Sequence, residues 1–234
     1  MPSGMFSSSK TCCGNLTTPG LAIDFDLYVN YSDVKTTEDQ LRIEDAMKYV
    51  LPTESRILHV GIGNSQLAKK MCSMGHFVEG LTVSKSELIY AKSLNLKNYK
   101  ASIINKYHRD FTNNIEPDSF DVVVDNNLAS FACCQYHFYT MIDNYLSCLK
   151  FGGAILTDQR GMDWALLDPG FIISFEQLKN ILCSHSVDVQ MVTEMVYSIV
   201  KIKPYDDKNN TSFRVHTKRN VNGKIIVKSF TPST

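Results

Sequence analysis

The sequence lacks the features of a membrane or secreted protein. No apolar run reaches the length of about 18 residues that a membrane-spanning helix needs. Residues 1–20 are rich in Ser, Thr and Gly and have no apolar core typical of a signal peptide. We therefore expect a soluble, cytoplasmic protein with no membrane partner.

The sequence also lacks an excess of charge of one sign and the residue spacing typical of a metal site. Lys and Arg together number 24, as do Asp and Glu, and no dense basic run is present, so the footprint of a nucleic-acid-binding protein is absent. The seven cysteines include the pairs Cys12-Cys13 and Cys133-Cys134 but no Cys-x-x-Cys or Cys/His spacing suited to zinc. We expect reduced thiols, no metal site and no nucleic-acid partner.

The length of 234 residues fits one α/β domain rather than two domains with separate cores. We predict a flexible tail over 1–20 and a single domain over 21–234. Within that domain, 21–52 form an N-terminal helical cap, 53–160 a ligand-binding core, and 161–234 a segment that lines the substrate side and completes the sheet.

The order of local patterns predicts a doubly wound, mostly parallel sheet. A helical pattern over 37–50 ends before Pro52, and after it apolar strand-like runs alternate with helix-like segments. A further helix-like segment over 174–185 precedes a C-terminal third of strand-like runs, the last two joined by Asn222-Gly223, a strong hairpin signal. We expect these last runs to finish the sheet as antiparallel strands. The predicted strands are 56–60, 77–81, 120–125, 153–158, a region within 187–203, 212–218 and 224–230, and the predicted internal helices are 65–74, 84–94 and 135–149.

The first strand-like run leads into closely spaced glycines, Gly61 and Gly63, followed by a helix-compatible segment. Glycines suit this position because the turn is tight and because a ligand can approach the backbone closely. In open α/β sheets such turns lie where ligands bind, outside the carboxyl ends of the strands. A dinucleotide fingerprint would place a third Gly or Ala where this chain has Gln66, which argues against NAD.

The segment around Val60-Gly61-Ile62-Gly63-Asn64-Ser65 resembles motif I of the class I S-adenosylmethionine-dependent methyltransferases, with Ser65 at the third glycine. Pro117-Asp118-Ser119-Phe120-Asp121 resembles the family's turn into strand four, and Leu149-Lys150-Phe151-Gly152-Gly153 resembles its Leu-Lys-Pro-Gly-Gly segment. With the segment that follows strand two, these landmarks stand in the family's order over 56–158. The resemblance implies a Rossmann-like methyltransferase fold of the seven-stranded type and S-adenosyl-L-methionine as the methyl donor.

Strand two departs from the family pattern. Thr82 stands where the family usually places the acidic residue that binds the ribose. The run from Gly80 to Glu87 instead resembles a Gly-x-Thr-Leu-Ser-x-x-Gln variant of cyclopropane synthases and tocopherol methyltransferases, whose Gln binds the ribose and whose position Glu87 occupies. Alternatively, Ser84-x-x-Glu87 is a capping box with no ligand.

By the same resemblance, Asp110 accepts the adenine amino group and Phe111 packs on the ring, whereas the alternative for Asp110 is a loop-capping acid. His59 is the polar residue of motif I, with a purely structural role as its alternative. Asp121, at the start of strand four, is expected to be structural. The predicted cofactor-binding residues are His59, Gly61, Gly63, Asn64, Ser65, Thr82, Glu87, Asp110, Phe111, Asp125 and Asn126.

The acceptor side follows the predicted strands 120–125 and 153–158, which correspond to strands four and five of the family's sheet. His137, just after strand four, is the candidate general base or acceptor-orienting group, and its alternative is a histidine in the pocket wall. Asp125 and Tyr136 are further catalytic candidates. Aromatic and charged residues near the predicted opening could bind the substrate, although core packing explains the aromatics equally well. The predicted substrate-binding residues are Tyr28, Tyr31, Tyr139, Arg160 and Trp164.

These observations predict a methyltransferase, monomeric or homodimeric, that acts on N or O of a small-molecule metabolite or natural-product intermediate. The Asn-Pro-Pro segment of enzymes that methylate nucleobase or amide nitrogens is absent after Asp125. The alternatives are a non-catalytic methyltransferase-like binding scaffold and a protein methyltransferase, the latter disfavoured because the N-terminal cap suggests a covered pocket.

Overall fold

The computed structural model describes residues 34–108, 111–130, 132, 135–163, 172–203, 214–219 and 225–231, with the side chains of 135, 136 and the last two ranges left out. The chain divides into two compact units, residues 1–203 and 204–234. The predicted tail over 1–20 and the Asn222-Gly223 turn lie outside the described residues.

The first unit contains a seven-stranded sheet in the order β3-β2-β1-β4-β5-β7-β6. Strands β1 to β5 are parallel, β7 runs antiparallel to β5, and β6 pairs antiparallel to β7. The sheet is therefore mostly parallel with an antiparallel end, as predicted. Its strands are β1 Arg56–Val60, β2 Phe77–Thr82, β3 Tyr99–Ile103, β4 Phe120–Val124, β5 Leu149–Asp158, β6 Val187–Met191 and β7 Val196–Lys201.

Helices connect the parallel strands, as right-handed crossovers require. Ser84 caps the helix Lys85–Ser93 (α3), because its hydroxyl accepts a hydrogen bond from the Glu87 amide at 3.3 Å. Helix α6 begins with a complete capping box between Ser174 and Gln177. The helices are α1 Glu38–Val50, α2 Gln66–Ser73, α3 Lys85–Ser93, α4 Phe111–Asn114, α5 Gln135–Cys148 and α6 Phe175–Ile181, and a short 3₁₀ helix spans Gln159–Met162.

One face of the sheet packs against α1 and α2. Ile43 and Met47 of α1 and Leu67 and Met71 of α2 are buried, and they cluster with apolar strand residues such as Ile57. Burying each such side chain stabilises the fold by about 1.5–3 kcal/mol relative to its exposure. The packing fixes α1 over the sheet and brings its amino-terminal turn to the carboxyl ends of the central strands.

Several elements differ from the sequence predictions. Strand β3 is not among the predicted strands, because its sequence Tyr-Lys-Ala-Ser-Ile has no continuous apolar run. The runs 212–218 and 224–230 do contain strands, β8 Arg214–Arg219 and β9 Ile225–Thr231, but these pair antiparallel with each other in a separate two-stranded sheet rather than in the main sheet. Local alternation indicates a strand without indicating which sheet it joins. Within the described residues, no helix is long and apolar enough to cross a bilayer.

Candidate functional site

The glycine turn after β1 stands open at the carboxyl end of the sheet. Gly61 and Gly63 have φ angles of +77° and +48°, in the left-handed region that favours glycine. A Cβ placed on either residue would meet no atom of the described residues within 4 Å, its chain neighbours apart. The amide of Gly61 donates to the Leu81 carbonyl at 2.8 Å, which ties the turn to β2. Within the described part of the chain, the turn thus leaves its backbone uncovered, as a close ligand approach requires.

Ser65 continues this unusual backbone into α2. It precedes the helix with a φ of +56°, a conformation that is uncommon for a non-glycine residue. Its buried hydroxyl is hydrogen-bonded to the Tyr99 hydroxyl of β3 at 2.9 Å. The predicted motif residue Ser65 therefore fixes the far side of the glycine turn against the sheet.

Glu87 brings a carboxylate to the end of β2. Its Oε2 accepts a hydrogen bond from the Thr82 hydroxyl at 2.5 Å, and the Gly63 amide also donates to the carboxylate. Burial raises the pKa of Glu87, while these two hydrogen bonds act to lower it. The acidic group missing at Thr82 is thus supplied from the first turn of α3.

Only one of the two hydrogen bonds of the predicted Ser84–Glu87 capping box is present. The Glu87 amide does donate to the Ser84 hydroxyl, but the Ser84 amide donates to the Thr82 hydroxyl at 2.9 Å rather than to the Glu87 carboxylate. The Glu87 side chain therefore faces Thr82 and Gly63 and leaves the cap to Ser84.

His59, the polar residue of the first strand, is buried beside the glycine turn. Within the described part of the chain, neither of its ring nitrogens has a hydrogen-bond partner. Burial lowers the pKa of His59 to about 4, although the nearby charge of Asp125 acts to raise it. Buried polar atoms in proteins usually have a hydrogen-bond partner, so a bound ligand or a water molecule would be expected to form hydrogen bonds with these two ring nitrogens.

Asp125, at the end of β4, is held in a buried ion pair. Its Oδ2 accepts hydrogen bonds from the Lys106 ammonium at 2.7 Å and from the Tyr145 hydroxyl at 2.8 Å. Its Oδ1 accepts from the Asn127 amide at 3.0 Å. Burial and then the Asp125 charge raise the pKa of Tyr145 well above its usual value. Both carboxylate oxygens of this predicted catalytic and cofactor-binding residue are thus engaged by the protein.

Helix α1 closes over the ends of β4 and β5. Arg42 donates to both carboxylate oxygens of Asp158, from Nε at 2.7 Å and Nη2 at 2.8 Å, and the Asp158 side chain is fully buried. The Asn126 amide donates to Asp39 at 2.8 Å. Such a bidentate, charge-assisted pair is geometrically specific. It fixes the amino-terminal half of α1 over the strand ends.

Two more predicted residues contact α1 or the segment before it, which together cover the ends of β4 and β5 and are called the cap below. The Asn64 amide donates to the Val34 carbonyl at 2.7 Å, joining the glycine turn to the segment before α1. Arg160 lies 3.5 Å from Glu38 in an exposed ion pair, which contributes little to stability. Asn64, Asn126 and Arg160 therefore converge on the same cap.

Three of the aromatic and histidine candidates, Phe111, His137 and Tyr139, lie on α4 and α5. His137 is fully buried near the start of α5, where its ring meets Tyr107 edge-on at 5.8 Å, and burial lowers its pKa. Phe111 is also fully buried and packs edge-on against Tyr145 at 6.1 Å. Tyr139 stacks on His185 at 5.6 Å.

Some candidates cannot be placed. Tyr28, Tyr31, Asp110 and Trp164 lie outside the described residues, and the side chain of Tyr136 is not among those described. Among the described residues, no cluster of three or more His, Cys, Asp or Glu side chains could hold a metal ion.

Sequence reasoning missed Lys106, Tyr145 and Arg42. Each acts through a partner distant in sequence, 19 residues away for Lys106, 20 for Tyr145 and 116 for Arg42. No local spacing reveals such pairs. Only the polar interruption that follows β3 could have drawn attention to Lys106.

No protein-family model matches the chain, and no curated protein matches it in sequence. Solved structures do resemble it. A TehB-like S-adenosylmethionine-dependent methyltransferase from Corynebacterium glutamicum is 14% identical, with 68% of this chain and 84% of that chain covered and a TM-score of 0.51. A 1,6-didemethyltoxoflavin N1-methyltransferase from Burkholderia thailandensis, crystallised with its substrate and S-adenosylhomocysteine, is 14% identical over 69% and 77% of the two chains, with a TM-score of 0.52.

A third similar structure is that of SpnF, described as a [4+2]-cyclase. It is 19% identical, covers 81% of this chain and 73% of its own, and has a TM-score of 0.52. At such identities the likeness concerns the fold alone. With the strand order and the glycine turn, the comparisons establish that the chain has the Rossmann-like fold of the class I S-adenosylmethionine-dependent methyltransferases.

Proposed function

We propose that the protein is an S-adenosylmethionine-dependent methyltransferase that methylates N or O of a small molecule. The observation that carries the proposal is the glycine turn at Gly61 and Gly63, whose left-handed backbone faces open space at the carboxyl end of β1. In open α/β folds this is the position at which ligands bind.

The residues around the turn fit the donor. The backbone at Gly61 and Gly63 would hold its amino-acid end, and the Glu87 carboxylate at the end of β2 would accept hydrogen bonds from the ribose hydroxyls. The neutral imidazole of His59 has no hydrogen-bond partner among the described residues. It would accept a hydrogen bond from the ammonium group of S-adenosylmethionine. When bound, S-adenosylmethionine supplies a methyl group on a cationic sulfonium.

The protein's own contribution to methyl transfer is alignment of the acceptor and exclusion of water. Helix α1 serves the second task, since Arg42 and Asp39 hold it over the ends of β4 and β5. This cover favours a small acceptor over a peptide, which needs an open groove.

A base assists methylation of a hydroxyl and is dispensable for a neutral amine. Among the predicted catalytic residues, His137 suits this role better than Asp125. Its lowered pKa keeps the imidazole neutral, whereas both oxygens of Asp125 already accept hydrogen bonds. Full burial of His137 means that the pocket must open next to it for the base to reach an acceptor.

The first test is calorimetric titration with S-adenosylhomocysteine, with NAD as the matched control. We expect S-adenosylhomocysteine to bind and NAD not to bind, because Gln66 replaces the third small residue of the dinucleotide fingerprint. The second test follows labelled methyl groups from the donor into separated small-molecule and protein fractions. Absence of S-adenosylhomocysteine binding would refute the donor assignment, and label found only in protein would refute the small-molecule acceptor.

A second candidate function is a binding scaffold without methyl transfer. Two observations favour it: Asp125 is neutralised by Lys106, and His137 is fully buried. A fold of this kind also hosts different functions in different proteins. The scaffold predicts tight donor binding with no turnover on any acceptor, so the labelling experiment separates the two functions.

A further inference from the structure

Lys106 is a lysine in an unusual position. Its side chain is 10% exposed, and its ammonium lies 2.7 Å from Oδ2 of Asp125 and 3.0 Å from the carbonyl oxygen of Asn127. Lysine is seldom buried unless it is paired. Because burying both charges costs several kcal/mol per ion, apolar side chains of similar volume would stabilise the fold at least as well. Stability alone therefore does not explain this pair.

The pair joins two segments at the carboxyl edge of the sheet. Lys106 belongs to the segment that follows β3, whereas Asp125 and Asn127 belong to the turn that follows β4. Asp125 organises that turn further, because its Oδ1 accepts a hydrogen bond from the Asn127 amide.

Helix α5 supports both sides of this junction from consecutive residues. The Asn144 amide donates to the carbonyl oxygens of Lys106 and His108, at 3.0 Å each, and so holds the segment after β3. The Tyr145 hydroxyl donates to Asp125 and holds the turn after β4. With both backbones braced, the Lys106 ammonium links the two segments directly through its contacts with Asp125 and the Asn127 carbonyl.

We propose that Lys106 is a positioning residue: its ammonium fixes the turn 125–128 against the segment 104–108 and so sets the spacing of two walls of the ligand site. This inference rests on the proposed function only in identifying the ligand. The turn is positioned whether or not a donor is bound.

The charges around Asp125 give the proposal a distinctive signature. Asp125 is faced by Lys106, by Tyr145 from α5 and, from β1, by the neutral imidazole of His59, while the Lys106 ammonium lies 5.2 Å from the centre of the Tyr107 ring. Among the described residues, Lys106 is thus the cation that compensates Asp125. In Lys106→Met the buried carboxylate loses that cation and is left as an uncompensated charge in the turn.

A buried charge without a partner weakens the turn that holds it. In Lys106→Met the turn should therefore loosen, whereas the wild-type turn keeps its compensated pair. Lys106→Met combined with Asp125→Asn removes the unpaired charge and should restore the turn.

The experiment measures hydrogen exchange of the amides in 125–130 without ligand and, separately, the affinity for S-adenosylhomocysteine, both at neutral pH. We expect exchange in Lys106→Met to be faster by about a hundredfold or more, the scale set by breaking a buried pair, and the affinity to be weaker. The double variant should return close to the wild type on both readouts. Lys100→Met, which removes an exposed ion pair with Glu79, is the matched control and should change neither.

Wild-type exchange in Lys106→Met would overturn the proposal, and so would a double variant whose turn exchanges as fast as that of Lys106→Met. If Lys106→Met fails to fold, a folded double variant supports the proposal and an unfolded double variant overturns it. Failure of the wild type to bind S-adenosylhomocysteine would refute the proposed function instead, because the exchange experiment does not need a ligand.

Discussion

Replacing Gly61 by alanine should separate the role of the glycine turn in folding from its role in binding. The residue has a φ of +77°, and a Cβ there meets no atom of the described residues within 4 Å, its chain neighbours apart. The folded protein therefore incurs only the cost of a left-handed alanine, about 1–2 kcal/mol. At about 2–4 °C per kcal/mol for a protein of this size, the melting temperature should fall by about 2–8 °C.

Binding should fall more than stability suggests. If a ligand lies against the backbone of the turn, the new methyl group occupies space that the ligand needs. We expect the affinity for S-adenosylhomocysteine to fall at least tenfold, which corresponds to about 1.4 kcal/mol. Thermal denaturation and calorimetry on the same preparation measure the two effects.

Gly152 provides a matched control. It has a φ of +79° and also leaves open space around a Cβ, but it lies in the amino-terminal part of β5, away from the carboxyl edge of the sheet. Gly152→Ala should lower the melting temperature as much as Gly61→Ala and leave the affinity unchanged. Equal affinities for the two variants would refute the assignment of the glycine turn as the donor site.

Three further predictions concern individual side chains. Glu87→Ala should lower donor affinity by about 1.5–3 kcal/mol, the range for hydrogen bonds to charged groups, whereas Ser84→Ala should cost about 1 kcal/mol of stability and leave affinity alone. Calorimetry and urea denaturation of both variants check this, and an unchanged affinity in Glu87→Ala would return the residue to a structural role. His137→Ala should slow single-turnover methyl transfer by about 10²- to 10⁴-fold with unchanged donor affinity, and a wild-type rate would exclude it as the base. The pKa of His59, about 4 in the fold against 6.5 ordinarily, predicts stability that is present above pH 6.5 and lost as the pH falls toward 4, by up to about 3 kcal/mol. His59→Asn should flatten this part of the pH dependence in urea denaturation, and an unchanged slope would contradict the assignment.

Local sequence features predicted the elements whose signal is local. Strand β1 was predicted at its observed bounds, because a short apolar run lies between the Pro52-Thr53-Glu54 turn and the glycines. Helix α1 was predicted within one residue of its observed start, since its apolar positions recur at helical spacing. Strand β3 was missed because it is short and half polar, and the four-residue α4 is too short to carry a periodic signal.

The same distinction holds at the site. The glycine turn and Glu87 could be identified because each belongs to one short segment whose residues act together. The pairs Lys106–Asp125 and Arg42–Asp158 could not, because their partners meet only after the strands have taken their order in the sheet. Asp125 and Arg160 could be identified as candidates because each follows a strand. Their positions alone did not reveal that Asp125 forms an ion pair with Lys106 and Arg160 with Glu38.

The distribution of compensated charge divides the carboxyl edge of the sheet into two regions. At β4 and β5, Asp125 and Asp158 are each paired with a cation of the protein, so these carboxylates hold loops and α1 in place. At the end of β2, the Glu87 carboxyl group accepts hydrogen bonds from neutral donors, the Thr82 hydroxyl and the Gly63 amide. Among the described contacts no cation pairs with it. Under the proposed function this carboxyl group is therefore left to bind the ribose of the donor, whereas Asp125 and Asp158 hold the cap above β4 and β5.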